Sequence, residues 1–305
     1  MRKMQSWSPS RSATPGVQVT GVSVFIKPIS DRQRGFTLIE IVITVLVSSI
    51  IAVGIVNYIG DSVEGFASSS NRNKLASSGR TVVDRLALEL HNSVPNSIRV
   101  TAAQPAGDQC LEFIPFVGAT SYLDAPFTGT GDTEFDAVDF NPTLLYASPA
   151  EVYAVVYPIN TDVLYEFANP GPMALIDEIE DTGGADGIVT VHLDAQHRFT
   201  RRSPVSRFYV AQTPVSFCIV GSRLFRYSNY DVPEDQCTPA TASCLPTSAP
   251  DRALISDNIN NSARSAFTLL EPTLRRNAIL AMDLNFTSEG DVVSLKHEVL
   301  MRNVP

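Results

Sequence analysis

The sequence predicts an α+β protein, and three observations predict it. From Phe36 to Ile59 the chain is apolar, with Glu40 as its one charge. From Phe36 to Val94 it contains no proline, and the second part of that stretch is amphipathic. Beyond Pro95 the pattern changes to short β-type runs separated by turn residues. A long helix followed by strands that pair with their sequence neighbours gives a helix packed on an antiparallel sheet.

Residues 1–35 hold six Lys/Arg (Arg2, Lys3, Arg11, Lys27, Arg32, Arg34) against Asp31, +5 in all. Positive flanking charge holds the N-terminal side of a membrane segment in the cytoplasm. The 24 residues from Phe36 to Ile59 give about 36 Å of helix at ~1.5 Å per residue, enough to cross a hydrocarbon core of about 30 Å. A secretory signal would place its small-residue cleavage site after the apolar run, whereas here Gly35 precedes it. Glu40 lies inside the run, where a carboxylate is costly and marks a functional position.

After Gly60 the helix changes character. Leu75, Gly79, Val82, Val83, Leu86 and Leu90 recur on one face, with Arg72, Lys74, Arg80, Asp84, Arg85 and Glu89 around the rest. That pattern is expected of a helix lying on a sheet. Gly60, Gly65 and Ser68–Ser70 are positions where it would bend, and Pro95 ends it. The expected divisions are 1–35, 36–59, 60–94 and a β-rich head over 95–305. Strands are expected at Ser97–Thr101, Leu111–Val117, Val152–Tyr157, Gly187–Leu193, Ser206–Val210, Val215–Val220, Arg223–Tyr227, Ala278–Phe286 and Val292–Met301. Hairpins are expected about Gly221-Ser222 and Thr287–Asp291, and loops over 118–150 and 229–262.

The whole chain carries −9, so residues 36–305 carry −14 once the +5 of the first 35 is removed. Such a balance argues against a nucleic-acid partner. Four cysteines beyond a membrane segment, in an oxidising compartment, suggest disulfides. Cys237 and Cys244 share a polar loop, and Cys110 and Cys218 adjoin strand-like runs. The expected pairing is Cys110–Cys218 and Cys237–Cys244, one of three possible. Zinc is disfavoured, because no Cys-x2-Cys pair exists and the histidines lie elsewhere.

Catalytic patterns are missing from the sequence. There is no His-Glu-x-x-His, no Gly-x-Ser-x-Gly and no phosphate-binding glycine loop, so no enzymatic activity and no cofactor are expected. His192 and His197 are close enough in sequence to share a metal, but a chance spacing is the better reading. Asp181 and Asp186, in an acidic glycine-rich loop, are weak calcium candidates without the full ligand spacing. Arg198, Arg201, Arg202 and Arg207 form a basic cluster suited to an acidic neighbour or to DNA, against the bland alternative of a solvated edge. Tyr122, Phe127, Tyr146 and Tyr230 are loop aromatics that an adhesive tip would expose, although local packing is their commoner fate.

Gly35-Phe-Thr-Leu-Ile-Glu40, behind Arg32-Gln33-Arg34 and before the apolar run, resembles the signal of type IV prepilins. The resemblance implies cleavage by prepilin peptidase between Gly35 and Phe36, N-methylation of Phe36, and a mature chain that keeps its helix. It also implies that Glu40 pairs with the Phe36 amine of a neighbouring subunit and so sets the axial stagger in a filament. The stretches Val53–Phe66, Val82–Val100, Gln109–Pro115, Val215–Cys218 and His297–Pro305 look like the minor pilins of mannose-sensitive haemagglutinin (MSHA) pili. Asn57 stands where major pilins often carry proline, which fits a minor component. The partners so implied are other major and minor pilins, the inner membrane, prepilin peptidase, and an assembly platform with its ATPase on another chain. The chain would be a single-pass inner-membrane protein with a periplasmic head, later carried into a pilus at the cell surface. A J-type pseudopilin of type II secretion, and a membrane-anchored binding protein or tip adhesin, are the alternatives.

Overall fold

A computed structural model describes residues 35–105, 107–140, 151–180, 187–239, 244–262, 264–271 and 278–301. The chain divides into two compact units, Met1–Gly60 and Asp61–Pro305. In the first, Thr37 caps the start of helix α1 (Leu38–His91): its Oγ1 accepts the Glu40 N–H at 3.3 Å. Every described side chain of this unit is exposed, and the helix surface is apolar all round. The positions expected to bend it, Gly60, Gly65 and Ser68–Ser70, all lie within the helix as it runs on to His91. Intrahelical hydrogen bonds tolerate single glycines at about 1 kcal/mol each.

In the second unit α1 buries Leu75, Gly79, Val82, Val83, Leu86 and Leu90, the six residues whose spacing marks the apolar face. Two antiparallel sheets receive this stripe. One contains β1 (Arg99–Val100), β2 (Gln109–Phe113), β9 (Val215–Val220), β10 (Arg223–Tyr227) and β11 (Arg252–Ser256), side by side in that order. The other contains β12 (Phe267–Leu270), β13 (Ile279–Ser288) and β14 (Asp291–Leu300). Leu111, Phe113 and Phe217 from the first and Leu280, Leu284 and Phe286 from the second join one core with the helix. Gln109 splices the two sheets. Its Oε1 accepts from Ala266 N (2.8 Å) and Phe267 N (3.0 Å), and its Nε2 donates to Phe267 O (2.9 Å) and Thr101 O (3.0 Å). A side-chain amide so buried must use its hydrogen-bonding capacity, and this one stands in for a missing strand.

The chain between β2 and β9 forms a separate layer. It contains β3 (Phe116–Ser121), β4 (Asp132–Val138), β5 (Val152–Val156), a short helix α2 (Thr161–Tyr165), β6 (Met173–Glu180), β7 (Ile188–His197) and β8 (Arg207–Gln212). Its strand order is β3-β8-β5-β6-β7-β4. The two outer strands meet: Tyr122 pairs with Ala137, Leu123 N donates to Asp136 O at 2.8 Å, and Thr120 Oγ1 donates to Val138 O at 2.9 Å. These bonds bring the two outer strands together at this point, so the sheet curls into a small, partly closed barrel. Alternate residues point inward, and Phe135 meets Phe199 and Phe208 edge-on at 5.9 and 5.2 Å. On the outer face Val155, Met173 and Tyr209 pack on Val94, Ile114, Leu164 and Tyr165. Pro115 and Pro214 stand at the entry and exit of the insert. The Cys110–Cys218 disulfide ties its neck across paired strands, Cα–Cα 4.1 Å. The second disulfide joins Cys237 to Cys244.

The architecture is α+β, with several local differences from the pattern read in the sequence. The run Leu111–Val117 is two strands in two sheets, because Pro115 cannot continue a ladder. Helix α1 ends at His91, before the expected Val94. The loops expected over 118–150 and 229–262 contain the end of β3, all of β4 and β11. β4 carries Asp132, Glu134 and Asp136 on its outward positions, which masks its strand character. β6, β12 and α2 were not expected. The two hairpins form as expected, with Gly221 at φ +60° and Glu289-Gly290 at φ +51° and +87°.

Gly79 faces the side chains of Phe286 and Leu295, and an added Cβ would stand 2.7–2.9 Å from them. Gly79→Ala gains about 1 kcal/mol in helix propensity, whereas overpacking a filled core costs about 1–3 kcal/mol. The expected outcome is a net loss of up to about 2 kcal/mol, read from the denaturant midpoint. A midpoint that rises would show that the helix does not press on the sheet here.

Candidate functional site

The first candidate site is the start of α1. Phe36 is exposed beside Gly35, and Glu40 lies in the first turn of the helix. Thr37-x-x-Glu40 has the spacing of a capping box, and the Thr37 half is formed. Among the described residues the Glu40 carboxylate accepts no hydrogen bond and meets no cation. By contrast, Thr44 and Ser49 satisfy their hydroxyls on the Ile41 and Leu46 carbonyls at 2.9 and 2.8 Å. α1 is long and apolar enough to cross a membrane. In such surroundings a lone carboxylate is costly and marks a functional position.

A second cluster of chemical groups is buried in the head. Glu112, fully buried on β2, places Oε1 2.8 Å from Arg99 Nε and 2.6 Å from Arg99 Nη2. Its Oε2 accepts from Ser216 Oγ at 3.2 Å, and Ser216 Oγ lies 2.7 Å from the Tyr230 hydroxyl. The Arg99 guanidinium stacks 3.6 Å from the Tyr165 ring centre and donates to the Glu234 and Pro233 carbonyls. Burial, the largest cause, raises the Glu112 pKa despite the opposing Arg99 charge. Burial first, and then the Glu112 charge, raise those of Tyr165 and Tyr230. These bonds link β1, β2 and β9 to the segment approaching Cys237, which makes the cluster a structural clamp. Sequence reasoning missed it, although Glu112 between Leu111 and Phe113 is an acid in a β-type run.

The structure separates the two histidines considered for a metal. His192 points its ring nitrogens at Glu134 (3.3 Å) and Glu180 (3.4 Å). His197 is buried against Phe199, its Nε2–H donating to Gly171 O at 3.1 Å, and burial lowers its pKa. Among the described residues no group of three or more His, Cys, Asp or Glu is placed to hold a metal ion. Asp181 and Asp186 lie outside the described residues, as does Tyr146. Of the other loop aromatics, Tyr122 and Tyr230 are buried and Phe127 is half-buried, so packing is the correct reading of the first two. Ser203 N donates to the Tyr122 hydroxyl at 2.9 Å. Arg201, Arg202 and Arg207 are exposed.

A family model, the prokaryotic N-terminal methylation motif, matches residues 30–56. No curated protein and no solved structure matches the chain. The motif, the apolar helix behind its glycine and the antiparallel head support a type IV pilin-like or pseudopilin class of protein. The motif implies a substrate of prepilin peptidase that assembles with other pilins, and the helix suggests a membrane anchor.

The raised Glu112 pKa has a pH signature. A carboxyl that holds its proton more tightly when folded stabilises the head most below its ordinary value of 4.5. That contribution is lost as pH rises through the folded value. Urea midpoints of the full chain in detergent are expected to show this falling component above pH 4.5, and Glu112→Gln to remove it. Superimposable pH profiles for the two proteins would contradict the assignment.

Proposed function

We propose that the chain is a minor pilin of the MSHA type, similar to MshO, which helps to prime or assemble a type IV pilus. Residues 1–35 are the leader that prepilin peptidase removes after Gly35. Residues 36–59 are the membrane and filament-core helix, residues 60–94 its amphipathic continuation, and residues 95–305 a periplasmic head. Phe36 becomes the N-methylated terminus. Glu40 receives the charged amine of a neighbouring subunit at the same depth, helices bundle through their apolar surface, and heads dock beside one another. The work comes from an assembly platform and an ATPase on other chains. The protein acts by packing, without catalysis, metal or cofactor, and binds no nucleic acid.

The observation that carries this reading is the unpartnered Glu40 carboxylate four residues beyond Phe36, inside the N-terminal methylation motif. The same observation serves a J-type pseudopilin of type II secretion. Genes for further short chains with their own Gly-Phe-Thr-Leu-x-Glu signals, beside either pilus or secretion genes, separate the two.

Glu40→Val removes the acid and keeps the helix. Processing and membrane insertion are expected to remain normal. Leaving a buried amine unpartnered costs about 1–3 kcal/mol, so incorporation into pili should fall about fivefold to 100-fold. Immunoblots of sheared pili measure it, and wild-type stoichiometry in this variant would refute the pairing.

A further inference from the structure

The inserted barrel has a charge distribution that neither the clamp nor the N-terminal site uses. Between Val100 and His197 the sequence contains no Lys or Arg. Four arginines then follow within ten residues, Arg198, Arg201, Arg202 and Arg207. Residues 116–212 hold 14 Asp/Glu, and those four arginines are their only Lys/Arg.

The fold gathers the arginines at one end of the barrel. Arg198 follows β7 and Arg207 opens β8. Phe208 lies opposite Val156, Val155 opposite Met173, and Gly171 beside Phe199, so the two arginines are level across the strands between them. Arg201 and Arg202 project from the connection that crosses this end, with Arg202 over the Phe127 ring at 4.6 Å. None of the four forms an ion pair with a carboxylate among the described residues, though Asp132 lies at the same rim opposite His197. Leu123 and Val205, both about half exposed, add apolar surface in the same region, where Tyr122 N donates to Ser206 O. At the opposite end β6 finishes with exposed Asp177, Glu178 and Glu180.

We infer that this arginine-bearing end docks on the acidic end of the same barrel in a second copy of the chain. Complementary ends on one rigid body make a heterologous, head-to-tail contact, which can repeat along a row of subunits. A long polyanion fits less well. Beyond the four arginines it would run along an acidic barrel, and repulsion would oppose it. A protein surface of limited area meets the arginines alone. Fields of opposite sign also speed the encounter and fix its orientation. The inference does not depend on the pilin reading, since it uses no residue of α1.

The test uses the full chain in detergent micelles, followed by sedimentation velocity at low and high salt. Association through the apolar helix is common to every variant, so the salt-sensitive component is the readout. Wild type is expected to self-associate at low salt and to lose that component at high salt. Arg201→Glu with Arg202→Glu, and separately Asp177→Lys with Glu178→Lys, should each weaken it about tenfold or more. An equimolar mixture of the two variants should recover it, because the reversed ends now match. Circular dichroism of each variant confirms that the fold is retained. A wild-type chain without a salt-sensitive component, or a mixture that fails to recover it, overturns the inference. Arginine-dependent binding of heparin with no self-association overturns it as well, in favour of an anionic polymer.

Discussion

One constraint organises this molecule: α1 is apolar all round in its first part and carries a single apolar stripe in its last, and the sheets take up only that stripe, from Leu75 to Leu90. That stripe is covered by two sheets, and the core it shares with them holds the head together. The residues from Leu38 to Gly60 remain exposed and apolar on every side. Roughly 25 cal/mol per Å2 of exposed apolar surface is too large a penalty to leave in water. This surface calls for a bilayer or for similar helices. Glu40 restricts the choice further, because hydrocarbon alone cannot satisfy its carboxylate.

The head solves a different problem. Its helix-bearing sheets are complete without the insert, since β2 and β9 are neighbours on either side of it. The barrel brings its outer strands together at Tyr122 and Ala137, buries its own aromatic core and leaves through a neck tied by Cys110–Cys218. The cross-linked cysteines are 108 residues apart, and a closed loop of about 100 residues returns about 4.7 kcal/mol in the chain-entropy description. The neck also lies next to the Glu112–Arg99 clamp on β1 and β2. Insert and body are thus joined where covalent and electrostatic constraints coincide, and the barrel surface is left free to vary in charge.

Much of this was legible in the sequence. The helix period identified all six buried residues of α1, because 3.6-residue spacing survives substitution by any apolar side chain. Strands β9 and β10 were read to the residue, since Val, Phe, Ile and Tyr alternate there and Gly221 marks the turn. Acidic strands were not legible. β4 turns Asp132, Glu134 and Asp136 outward, so a polar surface hides a strand whose inward side is only Phe135 and Ala137. The barrel was invisible for a related reason: closure depends on Tyr122 meeting Ala137, a non-local pairing with no local signal. The start of α1 was the clearest part of the candidate site, since Gly35 through Glu40 is a contiguous pattern. The buried clamp was not, because nothing local tells Glu112 that Arg99, Ser216 and Tyr230 will surround it.

The central claim is that Glu40 finds its cation in the amino terminus of an adjacent subunit. The most direct test is solid-state NMR on mixed assemblies in lipid bilayers. The Glu40 carboxyl carbon of this chain carries 13C, and the terminal nitrogen of the neighbouring subunits carries 15N. The account predicts an ionised carboxylate with a dipolar coupling that corresponds to a separation of about 4 Å, the ion-pair range. A protonated carboxyl, or no coupling to a neighbouring amine in assemblies that have otherwise formed, would contradict it.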